Sequence, residues 1–306
     1  MSDWAEKFKD ELAERFSGEI LENELLRDKT TYRIGGPARL LLCPANLDDL
    51  RSLCGLIKKR RSPSFILGGG ANVLISDAGF NGVVVHLKSF SQLVFQGQKV
   101  TAGAGVILDE FVKECLKRGL SGLERLSGIP GTLGGALRMN AGAFDAEVSD
   151  CLLTVECMDQ DGNYGRLEKS EVEFSYRRAP AIRDMYILGA TFEFPRMDKE
   201  SLFITRQDIL FRRYERQPWQ YPSAGSVFKR PEGHYTGKLI EELGLKGRTV
   251  GRAQISRKHA GIIINLGNAR AVDVLVLIRL VQEEVRRQYK IELELEQELI
   301  GFDLEA

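Results

Sequence analysis

The sequence has 306 residues, a formal net charge of +0, 43% hydrophobic residues and 28% charged residues. Chains of this length are usually divided, so we expect two or three domains, and the composition is that of a soluble globular protein. The balanced charge argues against nucleic acid or an anionic membrane as the main partner. The five cysteines form an odd set without a Cys-x-x-Cys pair, which favours reduced thiols in the cytoplasm over disulfides or a metal. The charged N-terminus has no apolar signal core, and no apolar run approaches the roughly 18 residues that span a membrane.

The first part of the chain alternates helical and strand patterns. Apolar residues at helical spacing predict an amphipathic helix over 2–16, capped by Ser2 or Asp3. A second helix is predicted over 46–59 with Asn46 as its cap. Strands are predicted at 39–43, 64–67 and 82–87. This part of the chain is therefore expected to form an α/β lobe.

The rest of the chain continues the mixed pattern. A second lobe is predicted to contain strands at 93–95, 99–102, 152–158, 165–167 and 186–194, with helices at 107–118 and 134–140. A third part is predicted to contain helices at 206–216, 235–243 and 271–289, a buried strand at 261–265 and a strictly alternating strand at 292–299.

A glycine-rich segment from Ser127 to Phe144 reads Ser-Gly-Ile-Pro-Gly-Thr-Leu-Gly-Gly-Ala-Leu-Arg-Met-Asn-Ala-Gly-Ala-Phe. Glycine adopts backbone angles closed to other residues and lets a ligand approach the main chain closely. The helix predicted at 134–140 would point its first N–H groups at an anion. The segment is either a backbone cradle for a phosphate-bearing cofactor or a set of tight turns, and glycine content alone does not decide between them.

A second glycine cluster, Gly68 to Gly70, directly follows the strand predicted at 64–67. Three consecutive glycines after a strand expose a run of N–H groups that suits a pyrophosphate. Val73 stands where a dinucleotide fingerprint requires a third glycine, and no Walker-type sequence occurs. Two separate cradles suggest one long ligand whose diphosphate is held between two lobes.

The polar residues that could carry chemistry are ambiguous on their own. The histidines lack metal-ligand spacing, so we expect no metal site, and a structural hydrogen bond is the default role of His259. Ser226 lies in a Gly-Ser turn without a hydrolase signature. Arg177 and Arg178 are adjacent and would point to opposite faces of an extended chain. The alternating glutamates of 292–299 would form a solvated strand face.

Several motifs nevertheless occur together in a fixed order. They are Gly68-Gly69-Gly70-Ala71-Asn72 with Ser76-Asp77, Gly128-Ile129-Pro130-Gly131 through Met139-Asn140-Ala141-Gly142-Ala143, Tyr176-Arg177, Ser223-Ala224-Gly225-Ser226-Val227-Phe228, and Glu294-x-Glu296 before Ile300-Gly301. On these motifs the chain resembles, over nearly its whole length, the family of UDP-N-acetylenolpyruvoylglucosamine reductases (UDP-N-acetylmuramate dehydrogenases).

The resemblance implies an α+β fold with a two-lobed FAD-binding part of the vanillyl-alcohol-oxidase (PCMH) type and an α+β substrate-binding domain. Carried over, residues 1–85 form the first lobe, joined by 290–306, residues 86–205 form the second, and residues 206–289 form the substrate domain. Residues 194–205 are too few for the tyrosine-bearing insert of some members, so the chain resembles the shorter subtype.

The resemblance also implies non-covalent FAD, because residues 68–72 contain no histidine to carry a flavin bond. The implied cofactor-binding residues are Gly68, Gly69, Gly70, Ala71, Asn72, Ser127, Gly128, Ile129, Pro130, Gly131, Gly134, Gly135, Asn140, Ala141 and Gly142.

The implied reaction begins with reduction of FAD by NADPH. The substrate, UDP-N-acetylglucosamine enolpyruvate, then receives a hydride from the flavin. Arg177 and Glu296 match the residues that stabilise the resulting enolate, and Ser226 matches the serine that protonates the neighbouring carbon. Further substrate contacts are expected from Tyr176, Lys229, Arg230 and His259.

Two other functions are kept open by the sequence. One is a different FAD-dependent oxidase of the same fold, which reacts with oxygen. The other is a nucleotide-binding protein without redox activity, which would leave Arg177, Ser226 and Glu296 without a role. In each case we expect a small-molecule partner, no nucleic acid, no membrane and a monomer.

Overall fold

The computed structural model describes residues 4–302, so the caps predicted at Ser2 and Asp3 lie outside the described residues. Within 4–302 the α-helices are α1 Trp4–Ala13, α2 Leu47–Arg60, α3 Leu108–Leu116, α4 Leu133–Arg138, α5 Lys169–Val172, α6 Lys199–Arg216, α7 Thr236–Glu242 and α8 Ala271–Tyr289. The strands are β1 Glu19–Leu25, β2 Pro37–Cys43, β3 Ser64–Leu67, β4 Val73–Ile75, β5 Phe80–His86, β6 Leu93–Gln96, β7 Lys99–Gly103, β8 Gly142–Ala143, β9 Ala146–Glu147, β10 Leu152–Met158, β11 Tyr164–Glu168, β12 Tyr186–Glu193, β13 Thr249–Val250, β14 Ala253–Ile255, β15 Ile263–Asn265 and β16 Glu298–Ile300.

The chain divides into two compact units. The first comprises the residues up to Asn23, then Arg39–Gly69 and Gly82–Phe211. The second comprises Glu24–Ala38, Gly70–Asn81 and the residues from Arg212 onward. The three-part division expected from the resemblance stays a prediction.

The first unit contains a five-stranded antiparallel sheet of order β11-β10-β12-β7-β6. Its core includes Phe111 of α3 and Phe192 of β12, whose ring centroids lie 5.0 Å apart. Phe194 stacks on Phe192 at 5.9 Å. Aromatic side chains bury large areas, so this cluster is a main source of the unit's stability.

The first unit also contains most of a four-stranded sheet of order β1-β2-β5-β3. Apolar faces of α1 and α2 pack in one cluster with its strands, through buried residues such as Phe8, Leu12, Leu50 and Leu53. The α2 helix begins where the sequence predicts, because the Asn46 side chain accepts hydrogen bonds from two backbone N–H groups of its first turn.

The second unit contains the antiparallel sheet β13-β14-β15 and the parallel pair β16-β4. The α8 helix spans the predicted 271–289 and buries the predicted stripe, including Val274, Leu277, Val281 and Val285. Full burial of such side chains is worth roughly 1.5–3 kcal/mol each. None of the helices between residues 4 and 302 is both long and apolar enough to cross a membrane.

Several predicted elements differ from the structure by one to three residues at an end, and two differ by more. The α6 helix begins at Lys199 rather than at 206, because the Asp198 carboxylate accepts from the Ser201 N–H and hydroxyl at 2.9 and 3.1 Å. The last strand is only Glu298–Ile300 rather than 292–299. Residues before it form isolated backbone pairs with the second unit's loop at 227–229, and the Gln297 side chain is buried.

Candidate active site

Gly68 and Gly69 of the first glycine cluster pack directly against the second glycine segment within the first unit. A Cβ on Gly69 would lie 2.6 Å from the Cα of Gly131, and a Cβ on Gly68 would lie 2.9 Å from the Thr132 hydroxyl. Real Cβ atoms do not approach main-chain atoms this closely, so position 69 requires glycine, whereas a side chain at position 68 would require the Thr132 hydroxyl to move. The structure therefore brings together two of the predicted cofactor segments.

The N–H groups of the two segments differ in whether the protein itself supplies their hydrogen-bond acceptors. Between residues 4 and 302, those of Gly69, Gly70 and Ala71 donate to no other residue. In the second segment, the Leu133 N–H donates to Val106 O and the Gly134 N–H donates to Ala104 O, both at 2.8 Å. We predicted that the first N–H groups of the 134–140 helix point at an anion. For Gly134 this prediction is wrong, because its N–H already donates to a main-chain carbonyl.

The residues present are suited to bind a long nucleotide cofactor, because the main chain of the first cluster offers hydrogen-bond donors. Its N–H groups supply donors for a diphosphate, and the contact of Gly69 with Gly131 leaves no side chain between the segments. Gly128 and Gly131 have φ values of +79° and +110°, which other residues avoid.

An ion pair that the sequence analysis missed supports the second segment. Asp109 accepts from both terminal nitrogens of Arg206 at 2.7 Å, and also from the Gly128 N–H at 2.6 Å. Burial alone would raise the pKa of Asp109, but Arg206 and the Gly128 N–H outweigh it and hold the pKa below its usual value. The two residues are 97 apart in sequence, so no local pattern could have found the pair.

Two predicted cofactor residues, Asn72 and Asn140, make their side-chain hydrogen bonds to protein groups. The Asn72 amide donates to Glu296 O at 2.9 Å within the second unit. The Asn140 amide donates to the Glu147 carboxylate at 2.6 Å and to Ser175 O at 3.2 Å within the first unit. Their contact with FAD stays a prediction.

The remaining predicted cofactor residues lie in or beside the second segment. Ser127 is fully buried and its hydroxyl donates to Glu124 O at 2.6 Å. The N–H of Ala141 donates to Ala136 O at 2.8 Å. The rest occupy the turns and short elements of this segment, namely Ile129, Pro130, Gly135 and Gly142.

Arg177 lies at a tight turn rather than in extended chain, which corrects the expected geometry. Ser175 and Arg178 exchange two backbone hydrogen bonds, at 3.0 and 2.9 Å, and Arg177 between them has a φ of +55°. The Arg177 guanidinium donates to Gly142 O at 3.0 Å. Tyr176 is exposed, and its ring centroid lies 5.1 Å from the guanidinium carbon. The argument from alternating strand faces therefore does not apply to Arg177 and Arg178.

Ser226 and Glu296 lie on neighbouring backbone segments of the second unit. The Glu296 N–H donates to the carbonyl of Val227, the residue after Ser226, at 2.9 Å. Ser226 itself pairs with Ile262, and its side chain is exposed. Gly225 has a φ of +68°, which lets the chain turn into this pairing. These predicted residues, 70 positions apart by their numbering, are therefore close along paired backbones.

The other predicted substrate residues of the second unit are basic or half-buried. The Lys229 ammonium binds Glu294 at 2.9 Å, and the Arg230 guanidinium stacks over the Tyr235 ring at 3.8 Å. His259 accepts the Gly261 N–H on Nδ1 at 3.2 Å, and burial lowers its pKa. All five cysteines are free thiols. Residues 4–302 contain no group of three or more histidine, cysteine, aspartate or glutamate residues that could hold a metal.

Comparisons with known proteins match most of the chain. A family model described as an FAD binding domain matches residues 38–168, and one described as the C-terminal domain of UDP-N-acetylenolpyruvoylglucosamine reductase matches residues 217–300. The UDP-N-acetylenolpyruvoylglucosamine reductase of Clostridium novyi is 40% identical over 288 residues, which is 94% of each chain. That of Caldanaerobacter subterraneus subsp. tengcongensis is 42% identical over 285 residues, 93% of this chain and 94% of the relative.

A solved structure agrees with these relatives. The crystal structure of UDP-N-acetylenolpyruvylglucosamine reductase from Thermus caldophilus matches with a TM-score of 0.80 and 36% identity, covering 93% of this chain and 99% of that chain. The expected α+β class, the FAD-binding fold and FAD as a cofactor are confirmed. The chain is an FAD-binding oxidoreductase that belongs to the UDP-N-acetylenolpyruvoylglucosamine reductase family.

Proposed function

We propose that the protein uses NADPH to reduce the enolpyruvyl group of UDP-N-acetylglucosamine enolpyruvate, forming UDP-N-acetylmuramate for peptidoglycan precursors. The observation that carries this proposal is the backbone pairing of Glu296 with Val227 at 2.9 Å, beside Ser226. This pairing brings together the backbone segments that carry a hydroxyl and a carboxyl, as a reaction with both a proton donor and an acid requires. We expect the enzyme to work as a cytoplasmic monomer.

The cofactor supplies the redox chemistry, since bound FAD accepts electrons from NADPH and delivers a hydride to the substrate. The N–H groups of Gly69, Gly70 and Ala71 are the donors we assign to its diphosphate. Non-covalent binding is consistent with the absence of histidine from residues 68–72.

Ser226 is the proposed proton donor. Its side chain is exposed on a backbone held by the pairing with Ile262. A serine hydroxyl is a weak acid, but an enolate is a strong base, so the transfer is feasible when the hydroxyl is fixed in place. The left-handed turn at Gly225 sets the direction of the serine backbone.

Arg177 and Glu296 are the proposed stabilisers of the enolate. Hydride addition moves negative charge toward the substrate carboxylate, and a preorganised cation lowers the energy of that charge as it develops. Arg177, whose planar guanidinium suits a carboxylate, is assigned as this cation. Glu296 is the acid that we assign to the enolate.

The basic residues of the second unit are assigned to the substrate's phosphates and carboxylate. Lys229 and Arg230 follow Ser226 closely in the chain, and each is already oriented by a neighbour, Glu294 or Tyr235. His259, which is half-buried with a lowered pKa, is neutral near pH 7 and would act as a hydrogen-bond partner. Tyr176, beside Arg177, is also assigned to the substrate.

The test is to measure both half-reactions of Ser226→Ala by stopped-flow absorbance. Reduction of the flavin by NADPH should stay within about twofold of wild type, because no proton from Ser226 is needed there. Reoxidation by the enolpyruvyl substrate should slow by about 10²-fold or more, the usual scale of a lost general acid. Ser223→Ala, in the same loop, is the matched control and should leave both rates unchanged.

Two results would contradict the proposal. Equal slowing of both half-reactions in Ser226→Ala would remove the assigned role of the hydroxyl. Faster reoxidation of the wild type by oxygen than by the enolpyruvyl substrate would instead favour an oxidase.

A further inference from the structure

Left-handed backbone is concentrated around the turn that carries Arg177. Five non-glycine residues in this turn and the segments beside it have positive φ, namely Asn140 at 44°, Phe144 at 52°, Asp145 at 60°, Glu173 at 56° and Arg177 at 55°. Such conformations cost free energy and persist only where the surroundings hold them, often at functional sites. The groups that hold this region are therefore of functional interest.

A buried asparagine connects the Arg177 turn to a carboxylate. Asn140 is fully buried, and its amide nitrogen donates to Glu147 Oε2 at 2.6 Å and to Ser175 O at 3.2 Å. Both partners are acceptors, so the amide must present its NH2 group to them rather than its oxygen. A carboxylate acceptor makes the stronger bond of the two and fixes the amide plane.

The residue that carries this carboxylate pairs along the backbone with the residue whose carbonyl Arg177 contacts. Gly142 of β8 pairs with Glu147 of β9, and Gly142 O accepts from Arg177 at 3.0 Å. The hairpin leaves no room for another side chain at Gly142, since a Cβ there would lie 2.6 Å from Ala146 O. The Glu147 side chain thus reaches the Arg177 turn through Asn140 and Ser175, and the Glu147 backbone belongs to the hairpin whose Gly142 carbonyl accepts from Arg177.

We propose that Glu147 is a positioning residue that acts through Asn140 to hold the Arg177 turn in its working geometry. This inference rests on the proposed function, because it assigns Arg177 to the substrate's developing charge. It concerns only groups within the first unit. Small misplacements of a positioning group are costly in catalysis, so the effect should fall on the step that uses Arg177.

The first experiment compares Glu147→Ala, Glu147→Gln and Glu193→Ala as FAD-loaded enzymes in stopped flow. Glu147→Ala should slow reoxidation by the enolpyruvyl substrate about 10- to 100-fold while leaving reduction by NADPH within about twofold. Glu147→Gln retains an acceptor for the Asn140 amide and should recover reoxidation to within about threefold of wild type. Glu193→Ala removes an exposed carboxylate of β12 in the same unit and should match wild type.

The second experiment measures hydrogen exchange of the same variants and does not depend on activity. The Ser175 and Arg178 amides, which bond to each other's carbonyls, should exchange at least about tenfold faster in Glu147→Ala and near the wild-type rate in Glu147→Gln. Exchange elsewhere in the first unit should be unchanged, which separates positioning from general loss of stability.

The outcomes distinguish the two proposals. Unchanged exchange at Ser175 and Arg178 in Glu147→Ala would overturn the positioning role, whatever the kinetics. Equal slowing of reoxidation in Glu147→Ala and Glu147→Gln would also overturn the positioning role. Equal slowing of both half-reactions in Glu147→Ala would overturn it as well. Faster exchange at the turn, together with wild-type enzyme that the enolpyruvyl substrate does not reoxidise, would retain the link to the turn but contradict the proposed function.

Discussion

The two glycine-rich regions of this protein look alike in sequence and differ in what their glycines do. In Gly68 to Gly70, the N–H groups of Gly69 and Gly70 have no acceptor among residues 4–302, and the main chain touches Gly131 directly. In the later segment, the N–H groups of Gly128 and Gly134 are accepted by Asp109 and Ala104.

This difference shows that a high glycine content indicates close packing of the main chain against a neighbour, and does not by itself indicate anion binding. At Gly134 the close neighbour is Ala104, whose Cβ would lie 2.8 Å from a Cβ on Gly134 and whose carbonyl accepts the Gly134 N–H. At Gly69 the close neighbour is the other glycine segment, and the adjacent N–H groups are left for a ligand. The first cluster is thus the better candidate for the diphosphate, and the second segment forms its support.

The largest effect is expected from Gly69→Ala, which tests whether the first cluster belongs to the FAD site. The new methyl group would overlap the Gly131 main chain and force the two segments apart. We expect FAD affinity to fall about 100-fold or more, equivalent to ~3 kcal/mol, as measured by flavin fluorescence on titration of the apoprotein. Gly165→Ala, at a strand position with open space, is the control and should bind FAD normally. Normal FAD affinity in Gly69→Ala would remove the first cluster from the cofactor site.

A smaller effect is expected from Gly134→Ala, and it should appear in stability before it appears in FAD affinity. Its methyl group would overlap Ala104, so the free energy of unfolding in urea should fall by about 1–3 kcal/mol. The next residue is a matched control, because a Cβ on Gly135 would have only the Thr132 hydroxyl near it, at 3.7 Å. Gly135→Ala should be neutral or stabilising by up to about 1 kcal/mol. Equal destabilisation by the two variants would contradict the packing role assigned to Gly134.

The smallest effect is expected from Asp109→Asn, which tests the ion pair under Gly128. The pKa of Asp109 is below its usual value in the folded protein, so its contribution to stability is complete above about pH 4. That contribution is lost as the pH falls through the folded pKa, because the folded state must then take up a proton it binds weakly. The variant should lose about 1–2 kcal/mol at pH 7, and its stability should depend less on pH below 4.

The control for this prediction is Glu110→Gln, on the neighbouring exposed position of α3. It should retain the wild-type stability and acid profile to within about 0.5 kcal/mol. An unchanged acid profile in Asp109→Asn would show that the Arg206 pair contributes nothing to folding. Urea midpoints measured from pH 3 to pH 7 decide between these outcomes.

Regular elements were largely predictable because their signals are local. The stripe of α8, the cap at Asn46 and the strand Ser64–Leu67 each follow from residues within a few positions of one another. The start of α6 was not predicted although its cap, Asp198, is also local, because the basic helical pattern in the sequence begins only at Arg206. The last strand was overextended because alternation describes a strand face but not whether a partner strand is present.

For the candidate site, too, local motifs were informative and contacts between distant residues were not predictable. The motifs alone identified the family and with it FAD, and both are confirmed by the comparisons. The roles of Arg177, Ser226 and Glu296 stay predictions. Their surroundings could not be read from the sequence, since hydrogen bonds such as that of Asn72 with Glu296 join residues 224 positions apart.

The sequence by itself determined most of the helices and strands, the glycine positions and the family, because these depend on residue identity and on short spacing. Only the tertiary structure decided which N–H groups are consumed by the protein's own carbonyls, that Asp109 supports Gly128, and that Glu147 and Asn140 hold the Arg177 turn. The physical reason is that a donor's partner is chosen by proximity in space, and chain folding creates that proximity between residues with no shared local pattern.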